Sequence, residues 1–300
     1  MRDRGITLIE ILIVLGIIGL ILAAIFETYM KVLFSYTRQT SIAESNIERI
    51  VSLEILRKDI AMAGFGIPVN RPPFAYDGTT LTIRTTMLAG KDETKCWGYA
   101  YKNITQYFFA GQGNSSICSS TTACYVALDT DYNLVASPCY RGTPSKLYLL
   151  FGVDTSFSPY DEIKYTITGT PPSSCCPSTS CLSRQDPSTG TAYQPVLDCV
   201  KAFKVAFGLD TNGDGTIDSW SQTLPSSAQQ IRDEVREVRV FVLYHEGGKD
   251  PSFTYTGSIT LGDSSTGTLY SYTPTGDEVH YRWKVATLSV TPLNLRRVSR

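Results

Sequence analysis

Histidine is scarce in this chain: only His245 and His280 occur among 300 residues. No nucleophile elbow (Gly-x-Ser-x-Gly), His-Glu-x-x-His zinc pair, P-loop or dinucleotide fingerprint is present, so the common catalytic frameworks are missing. The expectation is a protein that is not an enzyme. His245, between Tyr244 and Glu246 at the end of a strand pattern, reads as a surface histidine beside an acid. Net charge is lacking too, because 27 basic and 28 acidic residues leave −1. No Lys/Arg-rich run follows Arg4, so nucleic acid is not indicated as a partner. Cys-x-x-Cys pairs are also missing, and with two histidines to help, the eight cysteines make a poor zinc site. Glycine and proline are absent between Glu27 and Ala63, so nothing interrupts a helix there.

What the chain does have begins at its N-terminus. From Ile6 to Phe26 run 21 residues whose single ionisable side chain is Glu10. At about 1.5 Å rise per residue they form a helix about as long as a bilayer core is thick. Arg2 and Arg4 precede the run, which keeps the first residues cytoplasmic and sends everything after Glu27 outward. A carboxylate within an apolar helix is costly and is retained where it has a partner or a function. If the chain is cut between Gly5 and Ile6, the new α-amino group lies one turn from Glu10, and Glu10 of a neighbouring subunit can neutralise it. An ordinary signal peptide explains the run less well, since Leu22 to Ala24 is a poor cleavage site and the helical pattern continues past it. A plain anchor gives no reason for Gly5 or Glu10.

Gly5, Ile6, Thr7, Leu8, Ile9 and Glu10 followed by an apolar helix resemble the class III signal of type IV prepilins and pseudopilins. The resemblance implies cleavage by a prepilin peptidase after Gly5, N-methylation of Ile6, and assembly guided by Glu10. The family most often has Phe at the position of Ile6, a departure that leaves the charge logic intact.

Past the membrane, the helix is expected to end at Gly64 to Pro68. Leu53, Leu56, Ile60 and Ala63 form one apolar stripe, sufficient to seat the helix on its own domain. Ile47, Val51 and Ile55 form a second, available either to a wide core or to a neighbouring subunit. Glu54 and Lys58 are spaced as an i,i+4 pair. From Pro68 the period shifts to that of strands: Leu81 to Thr85, Tyr99 to Lys102, Tyr107 to Phe109, Lys146 to Phe151, Glu162 to Thr168, Lys201 to Phe207, Val235 to Tyr244 and Tyr281 to Val290. A short helix is expected from about Ser227 to Asp233 or Glu234. The segment from Thr170 to Pro195, rich in Pro and Ser, reads as a surface excursion pinned by disulfides. The 18 tyrosines fit the outer rows of a sheet, with a binding surface as the alternative.

The cysteines, Cys96, Cys118, Cys124, Cys139, Cys175, Cys176, Cys181 and Cys199, lie in one region of an exported domain and are expected to form disulfides. The local expectations are Cys118 with Cys124, and Cys181 with Cys175 or Cys176. Asp210, Asn212, Asp214, Thr216 and Asp218 follow the first nine positions of an EF-hand-like loop, with Gly215 at the sharp turn. A weakly held Ca²⁺ is the expectation; an Asn/Asp/Gly turn that needs no metal is the alternative. Ser221 stands where an EF-hand has its bidentate Glu.

The helix ending in Lys58 to Phe65, the late strand feeding the Asp210 loop and the final strand before Asn294 to Arg296 together resemble PilW-type minor pilins, akin to the J-type minor pseudopilins. The resemblance implies an α+β, pilin-like fold: residues 1–5 a leader, 6–63 a long helix spanning the membrane to about 26, and 64–300 a β-rich extracytoplasmic head. It implies a minor pilin of a type IV pilus acting in initiation or at the tip, with other major and minor pilins, prepilin peptidase and the inner membrane as partners. The protein would sit in the inner membrane with a periplasmic head and pass to the extracellular pilus. The alternatives are a minor pseudopilin of a type II secretion system, or a tip adhesin or DNA-uptake receptor.

Overall fold

The computed structural model describes residues 8–65, 67, 71–85, 96–103, 106–113, 124–128, 134–136, 148–153, 161–186 and 192–295, and from 96 to 153 the course and pairing of the strands. Helix α1 runs Leu8–Ala61, 54 residues without a break, about 80 Å in length. Thr28 and Thr40 within it satisfy their hydroxyls on carbonyls four residues back, which is how a polar β-branched residue is tolerated in mid-helix. Its end tightens, with Ala63 N–H donating to Ile60 O, and then Gly64 turns the chain at φ +84°. Any side chain at 64 would also collide with Leu295, whose Cδ2 lies 2.8 Å from the position of a Cβ. Glycine is needed there for both reasons.

The strands in chain order are β1 Phe74–Tyr76, β2 Leu81–Thr85, β3 Cys96–Asn103, β4 Gln106–Gly113, β5 Cys124–Leu128, β6 Leu134–Ala136, β7 Tyr148–Val153, β8 Asp161–Ile167, β9 Ser180–Gln185, β10 Tyr193–Leu209, β11 Ser219–Ser221, β12 Val235–Glu246, β13 Ile259–Asp263, β14 Gly267–Tyr272 and β15 Arg282–Val290. Helix α2, Ala228–Glu234, precedes β12 and is capped by Ser227, whose hydroxyl accepts the Gln230 N–H. The main sheet is antiparallel in the order β1-β2-β8-β9-β10-β12-β15, with β11 paired to the end of β10. A five-stranded antiparallel sheet, β4-β3-β7-β5-β6, and the β13-β14 hairpin complete the strands described.

Period 2 explains how the main sheet is covered on both faces. On β10 and β12, Phe203, Val205, Phe207, Val238, Val240 and Val242 join Leu56 and Ile60 of α1 in one core. The alternate residues Ala202, Phe241 and Leu243 point the other way, into a second core with Ile259 and Leu261 of the hairpin and Trp283 of β15. Burying Leu56 and Ile60 fully removes about 1.5–3 kcal/mol of apolar exposure each, enough to seat the last turns of α1. Leu293 N–H donates to Ala61 O at 3.0 Å, so the chain beyond β15 closes over the helix end.

Two sequence expectations are corrected. Part of Thr170 to Pro195 is not an excursion: β9 lies in it, between β8 and β10, with Leu182 and Ser183 buried. Its Ser- and Cys-rich sequence has weak intrinsic strand preference, and pairing on both sides makes the strand. The β13-β14 hairpin stands where the sequence suggested no strands. Glycine and serine interrupt its alternation, which hid it.

Candidate functional site

The first half of α1 presents its apolar residues outward. Within Ile11–Thr37 an 18-residue window has a mean hydropathy of 2.7 with none of the window buried, and the span is long and apolar enough to cross a membrane. Gly5 and Ile6 lie outside the described residues. Glu10 lies on the backbone of α1, but its side chain is likewise outside them.

Where α1 meets the head its two apolar stripes divide. Leu56, Ile60 and Ala63 are buried, whereas Ile47 and Val51 of the second stripe are 65% and 53% exposed, with Ile50 beside them at 62%. The side chain of Glu54 pairs with Arg57 through two hydrogen bonds at 2.7 and 2.8 Å, and not with Lys58 as its i,i+4 spacing suggested. Arg57, one residue nearer, offers a planar fork that takes both carboxylate oxygens.

Polar groups lock the same half of the helix onto the sheet. Asp59 is fully buried, and its Oδ2 accepts Arg184 Nε at 2.7 Å and Tyr165 Oη at 2.5 Å. Arg184 also reaches Asp186 at 2.9 Å, so each charge has an opposite neighbour. Burial, and next Asp59, push the Tyr165 hydroxyl well above its ordinary range and keep it a neutral donor. About two and three turns earlier, Ser52 Oγ donates to Val196 O, and Glu48 accepts the Asp198 N–H at 2.6 Å. Burial raises the Glu48 carboxyl, against the effect of that N–H. Sequence reading missed this lock, although an aspartate among the apolar residues of the core-facing stripe was its available signal.

Among the cysteines, Cys175 bonds to Cys199 across 24 residues. The expected pairing of Cys181 with Cys175 or Cys176 does not form; Cys176 and Cys181 are buried free thiols. The cause is a bulge in β10 between Leu197 and Val200, where Cys199 adopts φ 57° and turns out of the ladder toward the loop that holds Cys175. Cys181, held in β9, lies beside Asp198, and burial first and Asp198 second push its thiol up to about 12. Cys118 and Cys139, and the side chains of Cys96 and Cys124, lie outside the described residues.

His245 is 1% exposed, which corrects its reading as a surface residue. Its Nε2 accepts the Cys176 N–H at 2.9 Å, and its Nδ1 donates to Gly247 O at 3.1 Å. The ring packs on Tyr281 and Trp283, and burial lowers its pKa to about 4. Two-sided covering of the sheet, invisible in the local sequence, is what buries it.

The Asp210 loop joins β10 to β11 as the end of a hairpin. Asp210, 1% exposed, accepts N–H groups from Gly213 and Gly215 at 2.6 and 2.9 Å and the Arg236 guanidinium at 2.9 Å. Burial opposes its charge, but these donors hold its carboxyl below the usual range. Asp218 accepts from Thr211 and Asn212, and Asp214 from Thr216; Asn212 Nδ2 lies 3.2 Å from both Asp214 and Asp218. The five candidate residues thus share one turn, exposed except at the buried Asp210, and Thr216 contributes as a donor to Asp214.

Residues 1–26 match the family model of the prokaryotic N-terminal methylation motif, and residues 164–294 match that of type IV pilus-assembly protein W. No curated protein and no solved structure matches the chain. A methylation motif on a long apolar helix, seated on an antiparallel sheet with a disulfide, defines a type IV prepilin-like protein of α+β, pilin-like fold. The second match spans the main sheet from within β8 to just beyond β15. Within that class, residues 164–294 are similar to the PilW-type pilus-assembly proteins, and the two matches together support a minor pilin. The two matches indicate a structural pilin subunit, suggest other pilins and the pilus machinery as partners, and imply a prepilin peptidase.

Proposed function

We propose that this minor pilin waits in the inner membrane with its head in the periplasm, is cut between Gly5 and Ile6, is methylated at Ile6, and enters the pilus at or near its tip to start assembly. It has no catalytic role in this reading. The observation that carries it is the continuity of α1: an exposed apolar half passes without a break into a half clamped by the head, leaving Ile47, Ile50 and Val51 free for a neighbouring subunit. Mass spectrometry of the N-terminus is the test of processing. A methylated Ile6 is expected, and an intact Met1 in cells with active prepilin peptidase overturns it. For initiation, loss of the gene is expected to reduce the number of pili more than their length; unchanged pilus number would remove that role.

Calcium at the Asp210 loop is the second part of the proposal. Supporting it is the mutual reach of Asn212, Asp214 and Asp218; weighing against it is Arg236, which already neutralises Asp210.

A further inference from the structure

Opposite the helix, the loop holding Cys175 and Cys176 folds under the end of β12. There Cys175 Sγ, Cys199 Sγ and a ring nitrogen of His245 all lie within 4.8 Å of one another. In a tetrahedral zinc site, ligand atoms stand about 3.5 Å apart, so the three donors need only small shifts to surround one ion. The histidine is prepared for that task. Gly247 O takes the Nδ1 proton, which fixes the tautomer and leaves the Nε2 lone pair on the cysteine side, where it accepts the Cys176 N–H. Tyr281 and Trp283 hold the plane of the ring at 4.6 and 5.3 Å between centroids.

We infer that in its thiol form, before Cys175 and Cys199 are oxidised, the chain binds one Zn²⁺ or a cation of similar softness through Cys175, Cys199 and His245. The two thiols release two protons and become thiolate ligands; no electron moves, and His245 Nε2 exchanges the Cys176 N–H for the metal. The fourth position falls to water. Oxidation to the disulfide and metal binding then exclude each other, since both consume the same two sulfurs. The ion would hold Cys175 against Cys199 while six other cysteines compete to pair with them.

The test uses the whole chain in detergent, reduced with a phosphine and alkylated with iodoacetamide, with and without one equivalent of Zn²⁺, followed by peptide mass spectrometry. Zn²⁺ is expected to slow alkylation of Cys175 and Cys199 by at least about tenfold. His245→Gln should abolish this protection while still forming the Cys175–Cys199 disulfide when reoxidised, which shows that the head has folded. Cys199→Ser, which removes a different ligand, should abolish the protection of Cys175. Zn²⁺ protection that is absent in the wild type, or that persists in both variants, would overturn the inference.

Discussion

Arg184 of β9 donates its Nε to Oδ2 of Asp59 at 2.7 Å, joining a carboxylate fully buried on α1 to the middle of the main sheet. The pair ties the membrane helix to the head, so force on one is carried to the other. Removing Arg184 takes its guanidinium from two buried carboxylates, Asp59 and Asp186, a loss that typically costs about 3–5 kcal/mol. Arg184→Ala is expected to lose that much in denaturant unfolding of the detergent-solubilised chain. Tyr165→Phe, which removes a single donor to the Asp59 carboxylate, should lose about 1–2 kcal/mol. Equal losses in the two variants would mean that packing, and not charge, holds the helix.

Glu278 offers a pH test. Burial opposes its charge, yet Ser178, the Thr275 N–H at 3.2 Å and Lys201 at 3.5 Å lower its pKa from 4.5 to about 2. A carboxyl depressed in the fold stabilises it above pH 4.5, and this contribution disappears as pH falls toward 2. The loss should reach about 2 kcal/mol across that window. Unfolding free energies at pH 6 and pH 3 should differ less in Glu278→Gln than in the wild type.

Glu10→Val makes the membrane helix more apolar, so insertion should survive while the proposed partner of a neighbour's α-amino group is removed. Membrane fractionation should find the variant beside the wild type, and purified pili should contain less of it. Equal amounts in the pili would remove Glu10 from the assembly mechanism.

The Asp210 loop separates two outcomes in one thermal melt of the whole chain in detergent. If calcium binds, saturation at a hundred times Kd adds about 2.7 kcal/mol, and the midpoint rises in millimolar CaCl₂ relative to EDTA. Asp214→Ala should abolish the rise. Equal midpoints for the wild type in both buffers would leave the loop as a turn completed by Arg236 and its own N–H groups.

Local pattern alone determined the prepilin character of the chain, because an apolar run, its lone Glu10 and the preceding Gly5 are contiguous and act through the membrane, whose thickness is known in advance. The same holds for β2, for α2 with its Ser227 cap, and for β12, where period and cap residue are short-range signals. Tertiary structure decided what depends on distant partners. Cys199 reaches Cys175 because a bulge in β10 turns it out of register, and no spacing encodes a bulge. Asp59 is buried because Tyr165 and Arg184 arrive from strands over a hundred residues away. His245 is buried because the loop at Cys176 and the rings of Tyr281 and Trp283 close over it. A side chain's burial is set by what packs on it, and for these three the covering residues are remote in sequence and near only after folding.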